Sequence, residues 1–145
     1  MAIDVSDFAV AFSDYSERAK ERGWVIQHGL NGLPNPKARF DWCWLAEEFA
    51  KNLVNSDKIN HNWKKDFICD YTTEKWDLKN TEGVTIEVKS TASENEFTRT
   101  SVRLNLPEQA ESMIMKLSIG EEGFTRLKFV RKLEGKWFDL TSEFE

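Results

Sequence analysis

The chain predicts an α+β fold, close to α/β: a central mixed β-sheet flanked by helices. Three observations predict it. Phe8, Ala11, Phe12, Tyr15 and Ala19 recur at helical spacing near the N-terminus. Trp42, Leu45, Ala46, Phe49 and Leu53 repeat that pattern further on. From Trp76 to Ser90 the period changes to two, with Trp76 and Leu78, then Val84, Ile86 and Val88, alternating with polar residues. At 145 residues the chain is read as one domain, 1–145, long enough to bury its own core. With 40% hydrophobic and 31% charged residues, the composition excludes a disordered chain.

Asp4 or Ser6 caps the first helix, and Arg18, Lys20 and Arg22 suit its negative C-terminal end. Gly23 closes it as a left-handed cap. Trp24 to His28 reads as a short strand, and 29–36 as a loop from its Gly, Asn and Pro content. Asn35 caps the second helix, Pro36 takes its first position, and the stripe carries it to about Val54. Asp41 and Glu48 lie on one shoulder of that stripe and Glu47 on the other. Phe67 to Tyr71 reads as a strand and Thr72-Thr73-Glu74 as a turn. Ser101 to Leu104 reads as a further short strand. Pro107 opens a helix to about Leu117, and Phe124 to Leu133 with Lys136 to Leu140 forms a hairpin around Glu134-Gly135.

The stretch from Trp76 to Ser90 carries the chemistry. A three-residue loop, Thr81-Glu82-Gly83, with Gly83 in the left-handed position, pairs Asn80 with Val84, Leu78 with Ile86 and Asp77 with Glu87. Asp77, Lys79, Thr85, Glu87 and Lys89 then share the face opposite Leu78, Ile86 and Val88. Directly opposed residues have Cβ atoms about 5 Å apart, so two carboxylates there repel unless a cation joins them. The bland alternative is a solvated ladder of Asp77, Lys79, Glu87 and Lys89, whose salt bridges contribute at most about 1 kcal/mol each.

Asp77, nine intervening residues, then Glu87-Val88-Lys89 resembles the PD-(D/E)xK nuclease superfamily. The resemblance implies a restriction-endonuclease-like fold and a Mg²⁺- or Mn²⁺-dependent nuclease that hydrolyses phosphodiester bonds in nucleic acid, with DNA favoured over RNA. It makes Asp77, Glu87 and the Val88 carbonyl metal ligands, with Lys89 positioning or activating the attacking water. Many members add an acid from a preceding helix; Glu48 is the first choice here, then Glu47, Asp41 and Glu17. Trp76 stands where the motif's name has proline.

Asp70 competes with Asp77 but lacks a turn that brings it opposite Glu87. His28 and His61 have no ligand spacing. Lys64, Lys65, Arg99, Arg103 and Lys116 flank the hairpin in sequence and are the candidates for phosphate contact. The net charge of −5 argues against a general nucleic-acid coat, though metal-ligand carboxylates themselves lower it. A domain this small implies a homodimer or a partner protein for gripping duplex. Cys43 and Cys69 show no C-x-x-C spacing, and neither a signal peptide nor a membrane span is legible, so the expected compartment is cytoplasmic. The alternative function is a non-catalytic interaction or regulatory module on the same scaffold.

Overall fold

A computed structural model describes residues 5–28, 34, 39–59, 61–70, 76–95, 113–120, 123–133 and 136–139. Two helices, α1 (Val5–Glu21) and α2 (Arg39–Val54), precede six strands. These are β1 (Ile68–Cys69), β2 (Leu78–Lys79), β3 (Thr85–Thr91), β4 (Met113–Gly120), β5 (Gly123–Leu133) and β6 (Lys136–Asp139). They form one sheet in the order β1-β2-β3-β4-β5-β6. Every pairing is antiparallel except β3 with β4, which is parallel. The architecture is mixed α+β.

α1 buries Phe8, Ala11, Tyr15 and Ala19, and Phe12, the fifth position its periodicity marked, is half-buried against the same core. It ends as a Schellman motif: Trp24 N–H donates to Ala19 O (2.8 Å), Gly23 N–H donates to Lys20 O (3.2 Å), and Gly23 has φ +71°. α2 buries Trp42, Leu45, Ala46, Phe49 and Leu53 against α1 and the sheet. After α2, the Asn55 side chain brackets Phe67. Its Nδ2 donates to Phe67 O (2.9 Å) and its Oδ1 accepts from Phe67 N–H (2.8 Å), a side chain standing in for a neighbouring strand.

The β2–β3 hairpin has the register expected of it, Leu78 opposite Ile86 and Lys79 opposite Thr85. Asn80 N–H donates to Val84 O and Gly83 N–H to Asn80 O, both at 3.1 Å, closing the loop with Gly83 at φ +83°. The buried Asn80 side chain locks the turn by accepting from Glu82 N–H (3.0 Å) and Val84 N–H (2.8 Å). Gly83→Ala is expected to cost about 1 kcal/mol, or about 3 °C in a thermal melt. Nothing lies within 4 Å of the added Cβ, so the cost is backbone strain alone.

Three expectations are corrected. Residues 113–117, assigned to a helix opened by Pro107, are strand: Met113, Met115, Leu117 and Ile119 alternate with Ile114, Lys116 and Ser118, and β3 supplies a parallel partner. Residues 24–27 make no ladder, and His28 forms only an isolated bridge with Pro34. The strand near Cys69 is only Ile68–Cys69. Asn35, Pro36, the 72–74 turn, the 101–104 strand, the start at Pro107 and the Glu134-Gly135 turn lie outside the described residues.

A bulge in β5 completes the core. Arg126 pairs with Ser118 and Phe124 with Ile119, so Thr125 is inserted between them. One extra residue inverts the facing of the strand beyond it. Leu127 packs on the core from one side of the bulge and Phe124 from the other. Phe124 meets Phe8 (5.4 Å, 78°) and Trp42 (5.6 Å, 79°) edge-on and Phe49 at 5.2 Å, tying both helices to the sheet. Among the described residues no helix is long and apolar enough to cross a membrane.

Candidate active site

The core face of the hairpin fixes where its polar face must be. Leu78, Ile86 and Val88 are buried in the hydrophobic core, and Glu87 and Lys89 take the alternate positions of β3. Lys89 Nζ lies 3.6 Å from Glu87 Oε1, with the lysine side chain 43% exposed and the glutamate 23%. Asp77 sits one residue before β2 and reaches across instead of pairing. Its Oδ2 accepts the Val88 N–H at 2.8 Å, which fixes the carboxylate beside Glu87. Asp77, Glu87 and Lys89 are therefore neighbours. The expected Asp77–Glu87 opposition is achieved by a side chain on the β3 backbone and not by a continued ladder.

The helix acid that joins them is Glu47. It is buried, and that burial, followed by the charge of Asp77, a hydrogen bond to Asp77 and the charges of Glu87 and Glu48, pushes its carboxyl up to about 10. Glu87 is pushed up to about 7, first by burial and then by the Asp77 charge, while Lys89 pulls it down. Asp77 hydrogen-bonds both glutamates. Burial and the neighbouring carboxylate charges favour the protonated forms of Glu47 and Glu87.

Glu48, the first choice from sequence, is committed elsewhere. Its side chain is fully buried between Arg18 Nε (3.0 Å) and Lys51 Nζ (2.7 Å), and it accepts from Cys69 Sγ at 3.4 Å. Glu47 and Glu48 differ by one residue, about 100° around α2. Glu47 meets Asp77, whereas Glu48 sits between Arg18 of α1 and Cys69 of β1. Asp41 is excluded as well, since it accepts from Tyr15 OH (2.5 Å) and Gln27 N–H (3.1 Å), and burial raises the Tyr15 phenol further. Glu17 is exposed on α1.

Asp70 follows β1, one strand farther from β3 than Asp77. His61 is held in its loop, with Nε2 at 2.7 Å from Val54 O and Nδ1 accepting from Trp63 N–H (3.1 Å). Trp24 and Trp44 stack on each other at 4.3 Å, and Trp63 packs against His61 and Phe67. Lys64 pairs with Asp66 and Lys65 with Asp57. Arg99 and Arg103 lie outside the described residues, and Lys116 falls on β4 in register with Lys89.

Among the described residues no group of three or more His, Cys, Asp or Glu side chains is set in the geometry of an ion site. The donor chemistry of Glu47, Asp77 and Glu87 nevertheless fits a hard divalent cation. The set is all carboxylate oxygen and partly dehydrated, and a cation would offset the repulsion that raises Glu47 and Glu87. No protein-family model matches the chain, and a search of curated proteins finds no match.

Proposed function

We propose that the protein is a metal-dependent nuclease of the PD-(D/E)xK type, hydrolysing phosphodiester bonds in nucleic acid, with DNA favoured over RNA. The observation that carries the reading is the meeting of Asp77, Glu87 and Lys89 at the middle of β3, with Glu47 of α2 beside the two acids. Asp77 and Glu87 would hold Mg²⁺ or Mn²⁺, with the Val88 carbonyl and Glu47 as further oxygen donors. The ion, when bound, supplies Lewis-acid polarisation of a phosphoryl oxygen and a more acidic water.

The chain's own residues do the rest. The Val88 N–H holds Asp77 in one orientation, so that carboxylate need not reorganise during the reaction. Lys89, half in solvent, can leave Glu87 for a phosphate oxygen and offset the charge that grows as water oxygen bonds to phosphorus and the sugar oxygen departs. Burial of Glu47 keeps bulk water off one side of the acids.

The test is cleavage of single- and double-stranded DNA with and without Mg²⁺. Wild type should cleave only with the ion. Lys89→Ala should lose about 10²- to 10³-fold in rate, and Glu87→Gln at least as much. Both should keep the wild-type fold by circular dichroism. Wild-type rates in either variant would remove that residue from the mechanism. The net charge of −5 favours a second reading, a non-catalytic regulatory module. That reading expects no cleavage and no Mg²⁺-dependent rise in melting temperature.

A further inference from the structure

The sheet register continues Lys89 into a line of basic residues. Lys89 pairs with Lys116 across β3–β4, and Lys116 pairs with Lys128 across β4–β5. Paired positions share a face, and adjacent strands lie about 4.8 Å apart. The three lysine positions therefore form one row running across the strands. The next row on that face is Thr91, Ser118 and Arg126. Val88 and Leu127, the chain neighbours of Lys89 and Lys128, pack on the hydrophobic core, so this row belongs to the face away from it.

Like charges opposed on neighbouring strands are destabilising, and here two such pairs are consecutive. At β4 and β5 the flanking rows carry Ile114 and Val130 on one side, and Ser118 and Arg126 on the other. Among the described residues, Glu87 lies beside Lys89, Glu94 pairs with Arg126, and Asp139 pairs with Val130 in the row next to Lys128. An acidic chain that binds a polyanion needs such a local strip, because a focused field steers a ligand where net charge does not.

We propose that Lys89, Lys116, Lys128 and Arg126 form a phosphate track along which a nucleic-acid backbone crosses the sheet toward Asp77 and Glu87. The identity of the occupant rests on the nuclease reading. The track assigns a role to Lys116, whose neighbourhood to the hairpin comes from strand pairing, and to Lys128 and Arg126, which are distant from it in sequence.

The experiment is binding of a short fluorescein-labelled DNA duplex, followed by anisotropy in EDTA over a range of salt concentrations. Wild type and Glu87→Gln should bind with a salt dependence. Lys116→Ala with Lys128→Ala should bind more weakly, with a log–log salt slope shallower by about 2. Its circular dichroism spectrum should match that of wild type, so that weaker binding is not a loss of fold. An unchanged slope and affinity overturns the track, as does a wild type that does not bind. Vesicles containing phosphatidylserine that bind through these lysines when DNA does not would overturn the nucleic-acid occupant. A shallower slope in a protein that never cleaves supports the track and sinks the catalytic reading. Cleavage by wild type with the slope unchanged does the reverse.

Discussion

Glu47→Gln is expected to raise the melting temperature of the metal-free protein above neutral pH and, at the same time, to lower Mg²⁺-dependent cleavage by about 10²-fold. The opposite signs have one cause. Glu47 is held in a place where its charged form is disfavoured, by burial first and by Asp77 next. A neutral amide keeps the shape and removes the conflict, but it also removes an oxygen charge from the acids. An acid serving only the fold would lose stability and activity together.

The same conflict sets a pH dependence. The folded-state values of Glu87 (about 7) and Glu47 (about 10) lie above the ordinary value of 4.5. Between those limits the native state binds more protons than the unfolded chain, so stability falls as pH rises. Their stabilising contribution is fully present below the ordinary value and is lost as pH climbs through about 7 and beyond. Asp57, Asp66 and Glu94 are shifted downward by Lys65, Thr81 and Arg126 respectively, so their contribution is lost only on acidification below that range. Melting temperatures measured without metal from about pH 5 to about pH 9 should decline, and Glu47→Gln should flatten the curve. Saturating Mg²⁺ should restore the loss at the alkaline end, by about 2.7 kcal/mol at a hundredfold excess over Kd. A flat wild-type profile would show that the acids do not repel.

Glu48→Ala is expected to destabilise the fold by about 3 kcal/mol in urea unfolding. Removing this carboxylate strands Arg18, Lys51 and the Cys69 thiol around an emptied buried site. The cost stays at the low end for a broken buried pair, because Arg18 keeps 35% of its side chain exposed and Lys51 keeps 17%. The response to Mg²⁺ should survive in this variant. If the metal-induced rise vanishes with Glu48 and persists without Glu47, the two glutamates have been assigned in the wrong order.

Local patterns were legible because their causes are local. The Gly83 loop, the Leu78–Ile86 register, the Gly23 cap and the stripes of both helices follow from steric limits and from one apolar face per element. Glu87 and Lys89 share a face by strand alternation, whereas Asp77 joins them through its side chain on the Val88 N–H and not through the register. The strand at Met113–Gly120 was obscured by Pro107, an apt helix start competing with a period of two. Only a parallel partner decided between them.

Sequence by itself determined the α+β class, the hairpin and the face it gives its charges, because adjacent residues and short turns carry that information. Tertiary structure alone decided that Glu47 meets the hairpin while Glu48 pairs with Arg18, and that Lys116 and Lys128 align with Lys89. The physical reason is rotation and register between distant elements. A helix's period shows which side is apolar but not which neighbour each shoulder touches, and strand alternation does not say which strand lies alongside.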